Sequence, residues 1–274
     1  MQKKNNQQSN INNKYSLTIG WLYPDLMNTY GDRGNIIVLQ KRAEWRGIKA
    51  EVKEIYVSST IQDLTSSDLI FMGGAQDTQQ EIVNEDLQGK KGKVLIEKLE
   101  DETPGLFICG AYQFLGKYYK TAEGKKLEGL GFFPLYTENP GEKADRLIGN
   151  VLVEINDERL KIKEKNHHSS IINHKSLLVG FENHGGRTHL EDKSMALGTV
   201  INGHGNNATD KTEGIVYKNS FGTYMHGPIL PKNPQLADLL LTLALEKKYG
   251  KKFHLEPLDD SIEQKAREII IQKV

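Results

Sequence analysis

An apolar run, Pro104 to Ile108, ends in the chain's single cysteine, and small residues follow at once: Cys109-Gly110-Ala111. Tyr112, Leu115 and Tyr119 then fall at helical spacing, so the stretch predicts strand, tight turn, helix, with Cys109 on the turn. That is the geometry of a nucleophile elbow. Gly110 and Ala111 suit a backbone that doubles back where bulk has no room. A cysteine at a helix N-terminus meets free N–H groups and the positive end of the dipole; both favour thiolate, and the same N–H groups can hold an oxyanion. The alternative is a buried structural cysteine, because free cysteine is among the most buried residue types.

What precedes the elbow sets the architecture. Residues 1 to about 15 read as a disordered polar tail, and 16–274 as one domain with no visible linker. Leu17 to Leu22, Ala50 to Val57 and Ser67 to Met72 read as strands; Asn35 to Arg46, Thr78 to Leu87 and Val94 to Glu100 read as helices. This alternation predicts an α/β fold: three layers, a mostly parallel central sheet with helices on both faces. Ligands of such sheets sit at the carboxyl ends of strands, and two strand ends carry unusual residues, Gly73-Gly74 and Cys109. The second half is strand-rich. Strands are expected at Gly129 to Phe133, Leu147 to Ile155, Ser176 to Phe181, Glu213 to Tyr217 and Phe221 to Met225, continuing the same sheet. A polar insert covers about 157–175; helices follow near Gln235 to Lys248 and about Ser261 to Gln272, with Ser261 as N-cap.

Charge excludes some classes of partner. Lys+Arg is 36 and Asp+Glu is 36, so nothing points to nucleic acid or a membrane surface. The apolar run near Leu239 is too short to span a bilayer, and Met1 to Lys14 lacks the apolar core of a signal peptide. The expectation is a soluble cytoplasmic protein. One cysteine leaves no intrachain disulfide, and no acidic or cysteine partner makes a metal site of His167, His168 and His174.

A cysteine nucleophile needs a base. Of eight histidines, His189, His204 and His254 lie in polar, pattern-free surroundings. His184 and His226 lie at strand ends beside glycine, where a ligand has access. Taken alone, a histidine so placed is more often structural than catalytic.

Ile108-Cys109-Gly110-Ala111-Tyr112-Gln113 and Gly222-Thr223-Tyr224-Met225-His226-Gly227 together resemble the elbow and histidine motifs of class I glutamine amidotransferases, in the cobyric-acid-synthase-like branch. Tyr30-Gly31-Asp32-Arg33-Gly34-Asn35, Phe181-Glu182-Asn183-His184-Gly185-Gly186-Arg187-Thr188 and His226-Gly227-Pro228-Ile229-Leu230-Pro231-Lys232-Asn233 narrow the likeness to the GatD-type amidotransferase subunits of lipid II isoglutaminyl synthases. The resemblance covers about 16–250 and implies a flavodoxin-like fold. It implies that Cys109 attacks the side-chain amide of L-glutamine and that His226 moves the proton. It implies backbone donors at Gly74 and at Gly110 or Ala111 for the oxyanion, Arg146 for the substrate carboxylate, and Gln113 lining the pocket. It also implies a MurT-like Mur ligase as heterodimer partner, which holds ATP and magnesium; this chain has no phosphate-cradling loop and is expected to carry no cofactor.

The chain departs from the family pattern in three places. Phe107 and Ala111 stand where glycine is common, and Pro228 stands where most class I members carry the acid that orients the histidine. The resemblance implies that the partner supplies this acid, so the isolated chain is expected to be a weak glutaminase that the partner activates. Three other readings stay open: an amidotransferase serving a cobyrinate-like acceptor, a flavodoxin-like binding module with a structural Cys109, and a cysteine hydrolase of the DJ-1 or peptidase type.

Overall fold

The computed structural model describes residues 14–160 and 177–274. His167, His168, His174, most of the expected insert and most of the expected N-terminal tail lie outside them. The first half runs β1 (Tyr15–Leu22), α1 (Arg33–Glu44), β2 (Ile48–Ile55), α2 (Ile61–Thr65), β3 (Leu69–Met72), α3 (Asp77–Leu87), α4 (Lys90–Glu100), β4 (Gly105–Ile108) and α5 (Gly110–Phe114). The second runs β5 (Tyr118–Lys120), β6 (Lys126–Glu128), β7 (Leu135–Glu138), β8 (Leu147–Ile155), β9 (Leu177–His184) and β10 (Arg187–Leu190). It continues with β11 (Gly198–Asn202), β12 (Thr212–Glu213), β13 (Ile215–Tyr217), β14 (Ser220–Thr223), α6 (Pro234–Tyr249) and α7 (Ser261–Ile271).

The central sheet has six strands in the order β13-β14-β4-β3-β1-β2. All its pairings are parallel except β13 with β14. β3 and β4 are buried along their whole lengths, which is why they read as unbroken apolar runs rather than alternating ones. Phe107 stands on β4 where the family often has glycine; it is fully buried and meets Phe133 edge-on at 6.1 Å. Helix α1, which begins right after Asp32, is tied down by Arg42. That guanidinium donates to Asp238 on α6 (2.7 and 2.8 Å) and to Asp260 before α7 (2.6 and 3.2 Å). Its side chain is 3% exposed, so a forked pair on two carboxylates makes a buried charge tolerable.

The strand-rich half does not continue the central sheet as expected. Only β13 and β14 join it; β10-β7-β5-β6 and β12-β11-β8-β9 form two separate four-stranded sheets. The helical spacing after the elbow also misled. α5 stops at Phe114, and Tyr119 belongs to β5, because Gly116 packs against the Gly129 loop: a Cβ on Gly129 would lie 2.0 Å from the Gly116 carbonyl. Gly129 to Phe133 is loop, whereas β5, β6, β7, β10 and β11 lie outside the expected strands. Gly214, at φ 61°, splits the expected strand Glu213 to Tyr217. Ser261 is the first helical residue of α7 rather than its N-cap, which is Asp260. Among the described residues no helix is long and apolar enough to cross a membrane.

Candidate active site

Topology brings two of the candidate residues together. β14 lies parallel to β4 with Thr223 opposite Ile108, so Cys109 and His226 leave neighbouring strands at their carboxyl ends. The Cys109 N–H donates to the Thr223 carbonyl at 2.8 Å, which pins the elbow to the histidine strand. Cys109 has φ 51° and ψ −103°, a conformation few L-residues adopt; it is the strain expected of a nucleophile elbow. Its residue surface is 9% exposed, and it lines a cavity of about 510 Å³. His226, Arg146 and Gln113 line the same cavity.

His226 is fully buried and held by its backbone. Its N–H donates to the Phe181 carbonyl (2.7 Å), and its own carbonyl accepts from Lys232 Nζ (3.2 Å). The ring packs so close to Gly74 that a Cβ there would lie 2.8 Å from Cε1. Glycine at 74 is thus a requirement of the histidine's position.

One acid of this chain reaches the ring. Asp32, fully buried, sets Oδ1 3.3 Å from His226 Nδ1, and its Oδ2 accepts the Gly74 N–H at 2.7 Å. The acid was expected from a partner; within this chain a carboxylate already stands at the ring. Asp32 occupies the N-cap position of α1 yet makes no side-chain cap bond. Asn28 Oδ1 instead accepts the Arg33 N–H at 2.8 Å, which leaves the carboxylate free to face the site. Burial alone drives the His226 imidazole down; its interaction with the Cys109 side chain and its bond to Asp32 outweigh that and push the ring up to about 10.

A correction concerns the oxyanion donors. The Gly74 N–H already donates to Asp32, so it cannot also serve an oxyanion. The next N–H, that of Ala75, has no acceptor among the described residues and lies 3.3 Å from where a Cβ on Gly110 would sit. The N–H groups of Gly110 and Ala111, at the start of α5, likewise have no acceptor there. Ala75, Gly110 and Ala111 thus carry the backbone N–H groups that stand without an acceptor beside Cys109 among the described residues.

Arg146 stands at the cavity mouth just before β8. Its Nε donates to Asn183 Oδ1 and its Nη2 to the Asn183 carbonyl, both at 2.9 Å; Nη1 has no partner among the described residues. Gln113 is buried on α5, with Nε2 donating to the Tyr224 hydroxyl at 3.0 Å. His184, the other strand-end candidate, is a wall of the pocket. Its ring stacks on Tyr224 at 3.5 Å and its Nδ1 donates to the Gly186 carbonyl at 2.8 Å. His204 and His254 are exposed, and His189 stacks on Tyr136 away from the cavity.

The CobB/CobQ-like glutamine amidotransferase domain matches residues 18–234, most of the chain and all of this site. The chain belongs to that family. It is accordingly an enzyme of the glutamine amidotransferase class. This amidotransferase is 42% identical over 259 residues to the lipid II isoglutaminyl synthase (glutamine-hydrolyzing) subunit GatD of Staphylococcus aureus (strain N315), covering 94% of this chain and 96% of that one. It is 40% identical to the subunit of the same name from Streptococcus pneumoniae (strain ATCC BAA-255 / R6), covering 94% and 91%. A solved glutamine amidotransferase structure shares its fold at a TM-score of 0.52 and 15% identity, covering 82% of this chain and 98% of that chain.

Proposed function

We propose that this amidotransferase hydrolyses L-glutamine through a Cys109 thioester and supplies the ammonia to a Mur-ligase-like partner. The partner would amidate the D-glutamate of the lipid II stem peptide to D-isoglutamine. The observation that carries the reading is Cys109 and His226 sharing one cavity, with Asp32 behind the ring. Near-full-length likeness to two subunits bearing the isoglutaminyl synthase name supports the acceptor.

The steps follow from the groups present. The Cys109 sulfur attacks the side-chain carbonyl carbon of glutamine, and the tetrahedral oxyanion takes N–H bonds from Ala75 and Gly110 or Ala111. His226, already protonated, gives its proton to the departing nitrogen, and ammonia leaves. Water then adds to the thioester, His226 takes a proton from it, and glutamate and the thiolate are regenerated. ATP and magnesium belong to the partner, where the acceptor carboxyl is activated. Because Asp32 lies in this chain, the orienting acid gives no reason for the isolated subunit to be idle.

Two experiments test this. The chain co-purified with its ligase should transfer ¹⁵N from amide-labelled glutamine to lipid II and release glutamate in equal amount. No label in the acceptor, with glutamate still released, would remove the lipid II assignment but keep the glutaminase. At the mouth, Arg146→Ala should raise the glutamine KM roughly 10- to 100-fold with little change in kcat, because a charge-assisted carboxylate contact is lost. Arg146→Lys should recover only part of it, because the planar fork is gone. An unchanged KM would take Arg146 out of the substrate site.

A further inference from the structure

Two guanidiniums at the cavity mouth are held by neutral groups. Arg146 donates to Asn183 Oδ1 and to the Asn183 carbonyl. Arg187 donates to the carbonyls of Gly185 (2.8 Å) and Asp145 (2.6 Å). Among the described residues neither is paired with a carboxylate. Arg42 shows the contrast, since its guanidinium is locked between Asp238 and Asp260. Carboxylate partners neutralise a fork, whereas amide and carbonyl oxygens orient it and leave its charge open.

Asn183 is where these contacts meet. It sits near the end of β9, opposite Ile148 of β8, and lines the cavity. Its amide can be turned only one way. Arg146 Nε can only donate, so Oδ1 faces it, and Nδ2 donates to the Tyr30 hydroxyl at 2.9 Å. Tyr30 has φ 55° and ψ 27°, a conformation uncommon for a bulky residue. From there its ring lies edge-on to that of His226, centroids 5.0 Å apart. One amide thus ties the arginine at the mouth to the aromatic ring against the catalytic histidine. Gly185 keeps the outer nitrogen of the fork accessible: it lines the cavity, and a Cβ there would sit 3.5 Å from Arg146 Nη1.

We infer that Asn183 is a positioning residue for substrate binding: it aims the Arg146 fork at the α-carboxylate of glutamine through uncharged acceptors, so that the positive charge stays available to the substrate. The inference deepens the glutaminase reading and rests on it. An aspartate at 183 could accept the same Nε–H, but its charge would pair with Arg146 and oppose a second carboxylate. An alanine would leave only the main-chain carbonyl, and the guanidinium could swing. Position 183 therefore needs an acceptor and needs it neutral, and asparagine meets both demands.

The test is steady-state side-chain amide hydrolysis by the full-length chain with its partner subunit. It compares L-glutamine with L-glutaminamide, whose α-carboxylate is replaced by a neutral amide. Wild type should prefer glutamine in kcat/KM by at least roughly tenfold. Asn183→Asp, equal in size and still an acceptor for Arg146, should cut that preference to about threefold or less, through the glutamine KM rather than kcat. Asn183→Ala should raise the glutamine KM by roughly 3- to 10-fold. A residue that merely packs would be rescued by aspartate, so a wild-type glutamine KM in Asn183→Asp would overturn the proposal. An unchanged preference, with both substrates weakened alike, would also overturn it. Equal use of the two substrates by wild type would do so without any Asn183 variant, and so covers variants that do not fold. Wild type inert toward glutamine would remove the glutaminase reading and this proposal together.

Discussion

Cys109→Ala is expected to lower glutamine hydrolysis by on the order of 10⁶-fold, the loss typical of removing a covalent nucleophile whose base and oxyanion donors remain. Cys109→Ser should do almost as badly, because a serine hydroxyl is far harder to ionise than a thiol and His226 has to do it alone. The fold should survive both, since Cys109 adds little apolar burial and its backbone is held by the bond to Thr223. Strain separates the elbow's two roles. At φ 51° and ψ −103°, any side chain is uncomfortable. Relief of that strain is worth roughly 1–3 kcal/mol, against about 0.5–1 kcal/mol of glycine's extra chain entropy. Cys109→Gly should therefore be inactive yet more stable to denaturant than Cys109→Ala, by about 1 kcal/mol. Thermal or urea melts of the two variants measure it. A glycine variant less stable than the alanine one would mean that the elbow is unstrained, and residual glutaminase in either would mean that another group attacks.

Much of this site was legible because its signals are local. The elbow is written in consecutive residues, an apolar run, a cysteine and two small residues, and so is the strand end before His226. Their meeting follows from parallel pairing of β4 and β14, which no local signal in the second half states. Asp32 was not legible as the acid, although it lies in a motif that carried the family resemblance. The reason is physical: it reaches His226 from the far side of the β3 end, across a sequence distance that no spacing rule covers, and a helix-start aspartate ordinarily reads as a cap. The second half misled because short strands with many glycines fix no register. Nothing in Leu147 to Ile155 states whether it joins the central sheet or, as it does, pairs with β9 and β11 in a sheet of its own.

Asp32→Asn is the second large effect, and it tests the one site residue that sequence reasoning assigned elsewhere. Asparagine fills the same volume, and its oxygen can still accept the Gly74 N–H, so the loop keeps its shape. The end facing His226 Nδ1 becomes an N–H₂ donor. Nδ1 must then accept, the proton moves to Nε2, and the neutral ring is left in the tautomer that cannot take a proton from the thiol. Glutaminase kcat/KM should fall roughly 10²- to 10⁴-fold, with the glutamine KM much less affected. The pH profile adds a readout that a packing defect would not give. In the wild type His226 is pushed up to about 10, so the imidazolium that protonates the leaving nitrogen persists below that pH and activity declines as pH rises through it. Removing the carboxylate removes part of what raises the ring, so the alkaline limb of the variant should move to lower pH. Full activity and an unmoved limb in Asp32→Asn would return the role of the acid to a partner chain. A shifted limb with activity restored by Asp32→Glu, measured on the subunit without its ligase, would establish that the catalytic set is complete within this chain.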